Sequence, residues 1–172
     1  MKIAINAGHT KTGAGSGACY KDFNEGEITR AVASSLTRIL RQDGHQVINA
    51  NVDKAVTQNA YLRGVCVRAN ACDPDLFISI HCNASTTHLG KGVEAYTWKG
   101  RKHQQAIDMC DNLAELGFKN RGVKDGSKLY VIKHTTAKAI LIELFFLDNP
   151  TDQALYKKHG ADRIAQAIAD AI

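Results

Sequence analysis

The chain has 172 residues, 44% of them hydrophobic and 23% charged, which fits a single globular domain over residues 1–172. The sequence contains no run of about 18 apolar residues, which a membrane span would need. The N-terminal segment lacks the apolar core of a signal peptide, so we expect synthesis in the cytoplasm without a signal peptide. The net charge of +5 favours an anionic partner, but only 6% of residues are aromatic and no nucleic-acid-binding motif is present, so we expect neither nucleic acid nor membrane as a partner.

Strand character appears in six apolar runs that are separated by segments of helical spacing. The predicted strands are Lys2 to Asn6, Gln46 to Ala50, Asp75 to His81, Gly92 to Trp98, Lys128 to Ile132 and Ala139 to Phe146. Glycine-rich Thr10 to Ala18 and the segment Thr86 to Lys91 are predicted loops.

The first predicted helix begins after Asn24, a favoured N-cap residue, and ends at Asp43-Gly44. Its apolar face consists of Ile28, Val32, Leu36, Ile39 and Leu40. Further helices are predicted over Thr57 to Ala71, over Arg101 to Leu116 and from Asn149-Pro150 onward.

The predicted elements follow the order βαβαββαββα. Runs such as Leu76 to Ile80 are apolar on both faces, which is typical of a sheet covered by helices on both sides. We therefore predict the α/β fold class, with three α/β/α layers and a twisted, mostly parallel sheet of about six strands flanked by helices.

Residue types that bind metals stand near one predicted edge of this sheet. His9 follows the first strand, Glu25 begins the helix after it, and His81 follows the run Leu76 to Ile80. Strands of an open α/β sheet end, and the helices after them begin, along the edge where sites form. Two imidazoles and one carboxylate with an open fourth position are a typical catalytic zinc site. The pattern predicts zinc ligands at His9, Glu25 and His81.

Each of these residues also has a simpler interpretation. Gly8-His9 could be a turn with an incidental histidine, and Glu25 could only complement the helix dipole, with Glu27 as the ligand instead. His81 could be a hydrogen-bonded residue at a strand end, although strand alternation places it on the face opposite Cys82.

Glu143 is the acid in the strongly apolar run Ala139 to Phe146. Burial raises the pKa of a carboxyl group unless a cation or hydrogen bonds compensate, and a raised pKa suits a group that moves protons. We predict Glu143 as the catalytic residue, with pairing to a buried Lys or Arg as the alternative.

Five segments, in this order and at these distances, resemble zinc-dependent N-acetylmuramoyl-L-alanine amidases, the amidase type 3 family that includes catalytic domains of phage endolysins and cell-wall autolysins. They are IAINAGH at 3–9, NEGEITRAVASSL at 24–36, RANACDPDLFISIHCNAS at 68–85, GVEAY at 92–96 and AILIELFFLDN at 139–149. The resemblance covers almost the whole chain.

The resemblance implies that His9, Glu25 and His81 bind Zn²⁺, with Glu25 rather than Glu27, and that Glu143 is the general base. It further implies that Asn83 binds substrate or supports the site, although a structural hydrogen bond is an equal alternative. Arg121 belongs to a segment that resembles a loop beside the substrate groove of phage-type members, and a solvated turn is its alternative.

The implied function is a peptidoglycan hydrolase that cleaves the amide bond between N-acetylmuramic acid and the L-alanine of the stem peptide. The expected partner is bacterial peptidoglycan, reached during phage release or as part of a longer exported protein that also carries a wall-binding domain. The alternatives are a zinc peptidase or deacetylase acting on another amide, and a non-catalytic wall-binding relative.

Overall fold

A six-stranded sheet forms the centre of the computed structural model, which describes all 172 residues. Its strands in chain order are β1 (Lys2–Ala7), β2 (Gln46–Asn49), β3 (Leu76–Asn83), β4 (Val93–Thr97), β5 (Asn120–Asp125) and β6 (Lys138–Phe146). Their spatial order is β2-β1-β3-β6-β4-β5. Only β6 and β4 pair antiparallel, and the other neighbours are parallel, which confirms the predicted mostly parallel sheet.

Five helices cover the sheet: α1 (Glu25–Gln42), α2 (Gln58–Asn70), α3 (Gln104–Glu115), α4 (Tyr130–His134) and α5 (Pro150–Ala169). Ile78 and Ile80 of β3 lie in one hydrophobic core with residues of α1, α3 and α5, whereas Phe77 lies in a second core with residues of α2 and α4. The central strand β3 is therefore buried on both faces, as its apolar sequence predicts. The three-layer α/β/α prediction is confirmed.

The ends of two helices follow their predicted capping signals. Asn24 Oδ1 accepts a hydrogen bond of 3.2 Å from the backbone N–H of Glu27, and α1 ends before Gly44, which has a φ of 84°. Asn149 caps α5 by accepting a bond of 3.0 Å from the backbone N–H of Thr151. None of the helices combines the length and the apolar character needed to cross a membrane.

The predicted strand Lys128 to Ile132 is wrong. This segment contains the short helix α4, in which the consecutive residues Val131 and Ile132 are both buried against the α2 layer. A short apolar run fits a buried helix turn as well as a strand, so its pattern alone does not decide between them. The strand at this place in the order is β5, a polar edge strand that pairs with β4.

Candidate metal centre

His9, Glu25 and His81 meet at one edge of the sheet, and they are the one group of three metal-binding side chains in the chain whose ligand atoms all lie within 4.8 Å of one another. Glu25 Oε1 lies 2.9 Å from His9 Nε2 and 3.3 Å from His81 Nδ1. The structure thus brings together all three predicted ligands.

His9 occupies a turn that follows β1, with a φ of 73° that non-glycine residues rarely adopt. Its backbone is held on both sides, since its N–H donates to Tyr61 Oη at 2.6 Å and its carbonyl accepts from Arg30 at 3.1 Å. Its Nδ1 lies 3.0 Å from the carbonyl oxygen of Gly15, which leaves Nε2 facing Glu25. A bond of this kind fixes the tautomer of a metal-binding histidine.

His81 extends from β3 on the face that also carries Ser79. Its Nε2 lies 3.1 Å from Ser79 Oγ, which in turn donates to Asn6 Oδ1 at 2.9 Å. The other ring nitrogen, Nδ1, is directed at Glu25. Cys82 points the opposite way, into the core between the sheet and α1, as strand alternation predicts.

Glu25 is the first residue of α1 and is only 3% exposed. Besides the two histidines, its oxygens accept backbone N–H bonds of 3.0 Å each from Ala18 and Cys82. The side chain of Glu27 is exposed and outside this cluster. The arrangement therefore favours Glu25 over Glu27 as a metal ligand.

Two glycines allow the histidine rings to sit this close to the backbone. A Cβ atom at Gly8 would lie 2.5 to 2.7 Å from three ring atoms of His81. A Cβ at Gly17, where φ is +87°, would lie 2.9 Å from the ring of His9. Any side chain at Gly8 or Gly17 would displace a ring, so the loop has to carry glycine at both places.

The charges of the three residues suit a cation. Burial raises the pKa of Glu25, but hydrogen bonds with His81 and His9 outweigh it and hold the pKa well below its usual value. Burial keeps the pKa of His81 below 6.5, whereas at His9 the bond with Glu25 outweighs burial and raises the pKa. An ionised carboxylate and two oriented imidazoles are a donor set that fits zinc.

Glu143 lies on β6 directly across from His81 of β3. The pairing of β6 with β3 becomes irregular immediately after Glu143, and such irregularities are frequent beside active sites. Glu143 forms no ion pair, and its buried Oε2 has no hydrogen-bond partner, so pairing with a buried Lys or Arg does not occur. Burial, followed by the negative charges of Glu25 and Glu94, raises the pKa of Glu143 to about 8.

The predicted substrate-binding residues Asn83 and Arg121 both contact a residue that the sequence did not single out, Glu94 of β4. Asn83 Nδ2 donates to Glu94 Oε1 at 2.9 Å, and Arg121 Nε donates to Oε2. Tyr96 and Lys124 bind the same carboxylate. Glu94 could have been recognised by the signal that revealed Glu143, which is a lone acid in an apolar strand.

Comparisons with known proteins identify the family of the chain. The sequence profile Amidase_3, described as N-acetylmuramoyl-L-alanine amidase, matches residues 3–172. The amidase LytC of Bacillus subtilis is 34% identical over 179 residues, which cover 98% of this chain and 34% of LytC. The endolysin of Bacillus phage SPP1 is 30% identical over 180 residues, which cover 99% of this chain and 64% of the endolysin.

Among solved structures, the catalytic domain of the CD27L endolysin targeting Clostridia Difficile superposes with a TM-score of 0.88 at 33% identity, covering 99% of this chain and 96% of that one. The chain spans about half the length of the Clostridium perfringens proteins that it matches. With nearly every residue inside the profile and the full fold shared, the chain belongs to the N-acetylmuramoyl-L-alanine amidase family.

Proposed function

We propose that residues 1–172 form one catalytic domain of a zinc-dependent amidase, which hydrolyses the bond between the lactyl group of N-acetylmuramic acid and L-alanine in bacterial peptidoglycan. The observation that carries the proposal is the grouping of His9, Glu25 and His81 beside the unpaired acid Glu143, in a chain of this family. Relatives named as an endolysin and as cell-wall amidases support action on the wall.

His9 Nε2, His81 Nδ1 and an oxygen of Glu25 would hold the ion. Bound zinc supplies a Lewis acid that polarises a carbonyl and lowers the pKa of water. Gly15 and Ser79 fix the two rings through the nitrogens that face away from Glu25, so the ligands are positioned before the ion binds.

Glu143 would move the protons of the reaction. A carboxyl group whose pKa is about 8 both accepts and releases a proton near neutral pH. We propose that Glu143 takes a proton from the attacking water and delivers it to the nitrogen of the departing alanine. Its buried Oε2 has no hydrogen-bond partner within the protein that would compete for the proton.

The test is digestion of purified peptidoglycan, with mass spectrometry of the new chemical groups. The proposal predicts free L-alanine amino termini without new reducing sugars. It also predicts a loss of about 100-fold or more in Glu143→Gln, the usual contribution of a general base. The exposed residue Glu115 at the end of α3 provides a control, since Glu115→Gln makes the same charge change away from the site.

Other products would contradict the proposal. Cleavage inside the stem peptide would indicate a peptidase, and release of acetate would indicate a deacetylase. No release at all would indicate a wall-binding relative. Full activity of Glu143→Gln would remove Glu143 from the mechanism. A further wall-binding domain in a longer parent chain stays a prediction, which the greater length of the relatives supports.

A further inference from the structure

A single buried carboxylate organises the surface next to the candidate metal centre. Glu94 is 2% exposed, and its two oxygens accept hydrogen bonds from four side chains on three strands. These side chains are Asn83, Tyr96, Arg121 and Lys124. Hydrogen bonds from Lys124, Arg121 and Tyr96 outweigh burial and keep the pKa of Glu94 below its usual value, so the group is ionised at neutral pH.

Arg121 and Lys124 together keep positive charge that Glu94 does not neutralise and hydrogen-bond donors that Glu94 does not accept from. Arg121 and Lys124 bring two positive charges to one negative charge, and neither forms an ion pair with Glu143. Arg121 uses only Nε, so its two terminal nitrogens have no partner within the protein, and Lys124 has one contact. Their side chains are 30% and 36% exposed, so these donors are accessible to a ligand.

Arg121 is also held rigidly. Its guanidinium carbon lies 5.0 Å from the centre of the Phe146 ring, at the end of β6, in a cation–π contact. With Nε bound to Glu94, the flat group is fixed at two points. A fixed guanidinium is suited to bind a carboxylate through two parallel hydrogen bonds.

The order of the strands sets the distance of this cluster from the reacting bond. His81, Glu143 and Glu94 lie on the neighbouring strands β3, β6 and β4, in mutual register. Neighbouring strands are about 4.8 Å apart, so Glu94 lies roughly 10 Å from the column of His81. An extended peptide advances about 3.5 Å per residue. A stem peptide that extends from the cleaved amide, beside Glu143, toward β4 therefore reaches Arg121 and Lys124 about one or two residues beyond that amide.

We propose that Arg121 and Lys124, held in place by Glu94, bind a carboxylate of the stem peptide carried by the residue after L-alanine. This inference rests on the proposed amidase function. In peptidoglycan that residue is a glutamate joined through its γ-carboxyl, and its α-carboxylate is either free or amidated. The cluster makes this enzyme selective for the free acid. Glu94 acts as the positioning residue, and Arg121 and Lys124 contact the substrate.

The test compares two muramoyl tripeptides that differ only at this group, one with D-isoglutamate and one with D-isoglutamine. The metal-loaded wild-type enzyme is expected to prefer the acid by about tenfold or more in kcat/KM, the usual effect of a hydrogen bond to a charged group. Lys124→Gln and Arg121→Gln are expected to lower kcat/KM for the acid and to change kcat/KM for the amide little. The ratio of the two kcat/KM values should therefore fall toward one. Arg121→Lys should restore part of the preference.

Glu94→Gln keeps the shape of the side chain but removes the charge that fixes both cations. We expect a higher KM for the acid, a smaller change in kcat and a reduced preference, whereas a purely structural role would lower the rates for both substrates alike. Lys133→Gln, an exposed charge change on α4, is the matched control and should leave the preference intact.

The outcomes separate the two proposals. If wild type releases L-alanine termini from both substrates at equal kcat/KM, or if Lys124→Gln, Arg121→Gln and Glu94→Gln all leave the preference unchanged, the carboxylate subsite is wrong and the amidase function stands. If wild type releases L-alanine termini from neither substrate, nor from peptidoglycan, the proposed function itself fails, and this inference fails with it.

Discussion

Glu143 of β6 and Glu94 of β4 lie directly opposite each other in the antiparallel pair of the sheet, yet their protonation is driven in opposite directions. Burial raises the pKa of Glu94, but hydrogen bonds from Lys124, Arg121 and Tyr96 outweigh it and lower the pKa. Glu143 has no such partner, and its pKa rises to about 8. Neighbouring carboxyl groups whose environments separate their pKa values are a common arrangement for assigning one to proton transfer. This separation supports the proton-transfer role that we propose for Glu143.

Glu143 should make the metal-free protein less stable as the pH rises. Its pKa is about 8 in the folded chain and 4.5 as the reference value, so between these pH values the unfolded chain binds fewer protons, and stability falls with increasing pH. Glu143→Gln removes this effect. In urea unfolding with chelator, the free energy of unfolding of the variant should exceed that of wild type by roughly 3 kcal/mol at pH 7 and by less than about 0.5 kcal/mol at pH 4.5. An advantage that is independent of pH would contradict the assignment.

Gly8→Ala should weaken metal binding without unfolding the protein. The added methyl group would lie within 2.7 Å of the ring of His81 and would push that ring out of place. Misplaced ligands and lost supporting bonds typically reduce metal affinity by about 10- to 100-fold. Competition with a coloured zinc chelator measures the change. Gly64→Ala, where the nearest atom is a methyl group of Val52 at 3.0 Å, should retain wild-type affinity.

Asp152 links the start of α5 to the strand ends beneath the site. Its Oδ2 accepts backbone N–H bonds of 2.7 Å from Gly92 and 2.9 Å from Phe146. Asp152→Ala leaves both buried donors without a partner and should cost about 2–4 kcal/mol in chemical denaturation. Asp152→Asn retains an acceptor oxygen and should recover most of this loss. Equal destabilisation by both substitutions would show that the two bonds contribute little.

Gly160 interrupts α5 with a φ of 68° and a ψ of 174°, a conformation that is essentially restricted to glycine. No atom lies within 4 Å of the position that a Cβ would take, so a substitution there meets backbone strain and no steric clash. Gly160→Ala should therefore lower the free energy of unfolding by about 1–3 kcal/mol while leaving zinc affinity unchanged. A change below about 0.5 kcal/mol would mean that the helix straightens without cost.

The predicted elements were most accurate where burial leaves a periodic pattern. All five residues of the predicted apolar face of α1 are buried, and both predicted cap signals are used. The pattern failed at β5, whose residues are polar and half-exposed because an edge strand is stabilised by backbone pairing with β4 rather than by burial. A strand was predicted where α4 forms, because a short apolar run fits a buried helix turn as well as a strand.

The candidate site was foreseen in part. His9, His81 and Glu143 were identified by their positions near the ends of predicted strands, because the topology of an α/β sheet fixes which strand ends share an edge. The role of Glu94 depends on contacts among three strands that no local spacing encodes. The support of His9 by Tyr61 and Arg30 is equally long-range, since these residues are 52 and 21 positions away along the chain.

We propose that the amidase reaction requires a zinc ion held by His9, Glu25 and His81, with Glu143 as the proton carrier. The most direct measurement is to titrate zinc into chelator-treated protein while recording bound metal and the release of L-alanine amino termini from peptidoglycan. Activity should rise until about one equivalent is bound, and Glu143→Gln should bind the same equivalent without activity. Full activity in the chelated protein, or in Glu143→Gln, would contradict the account.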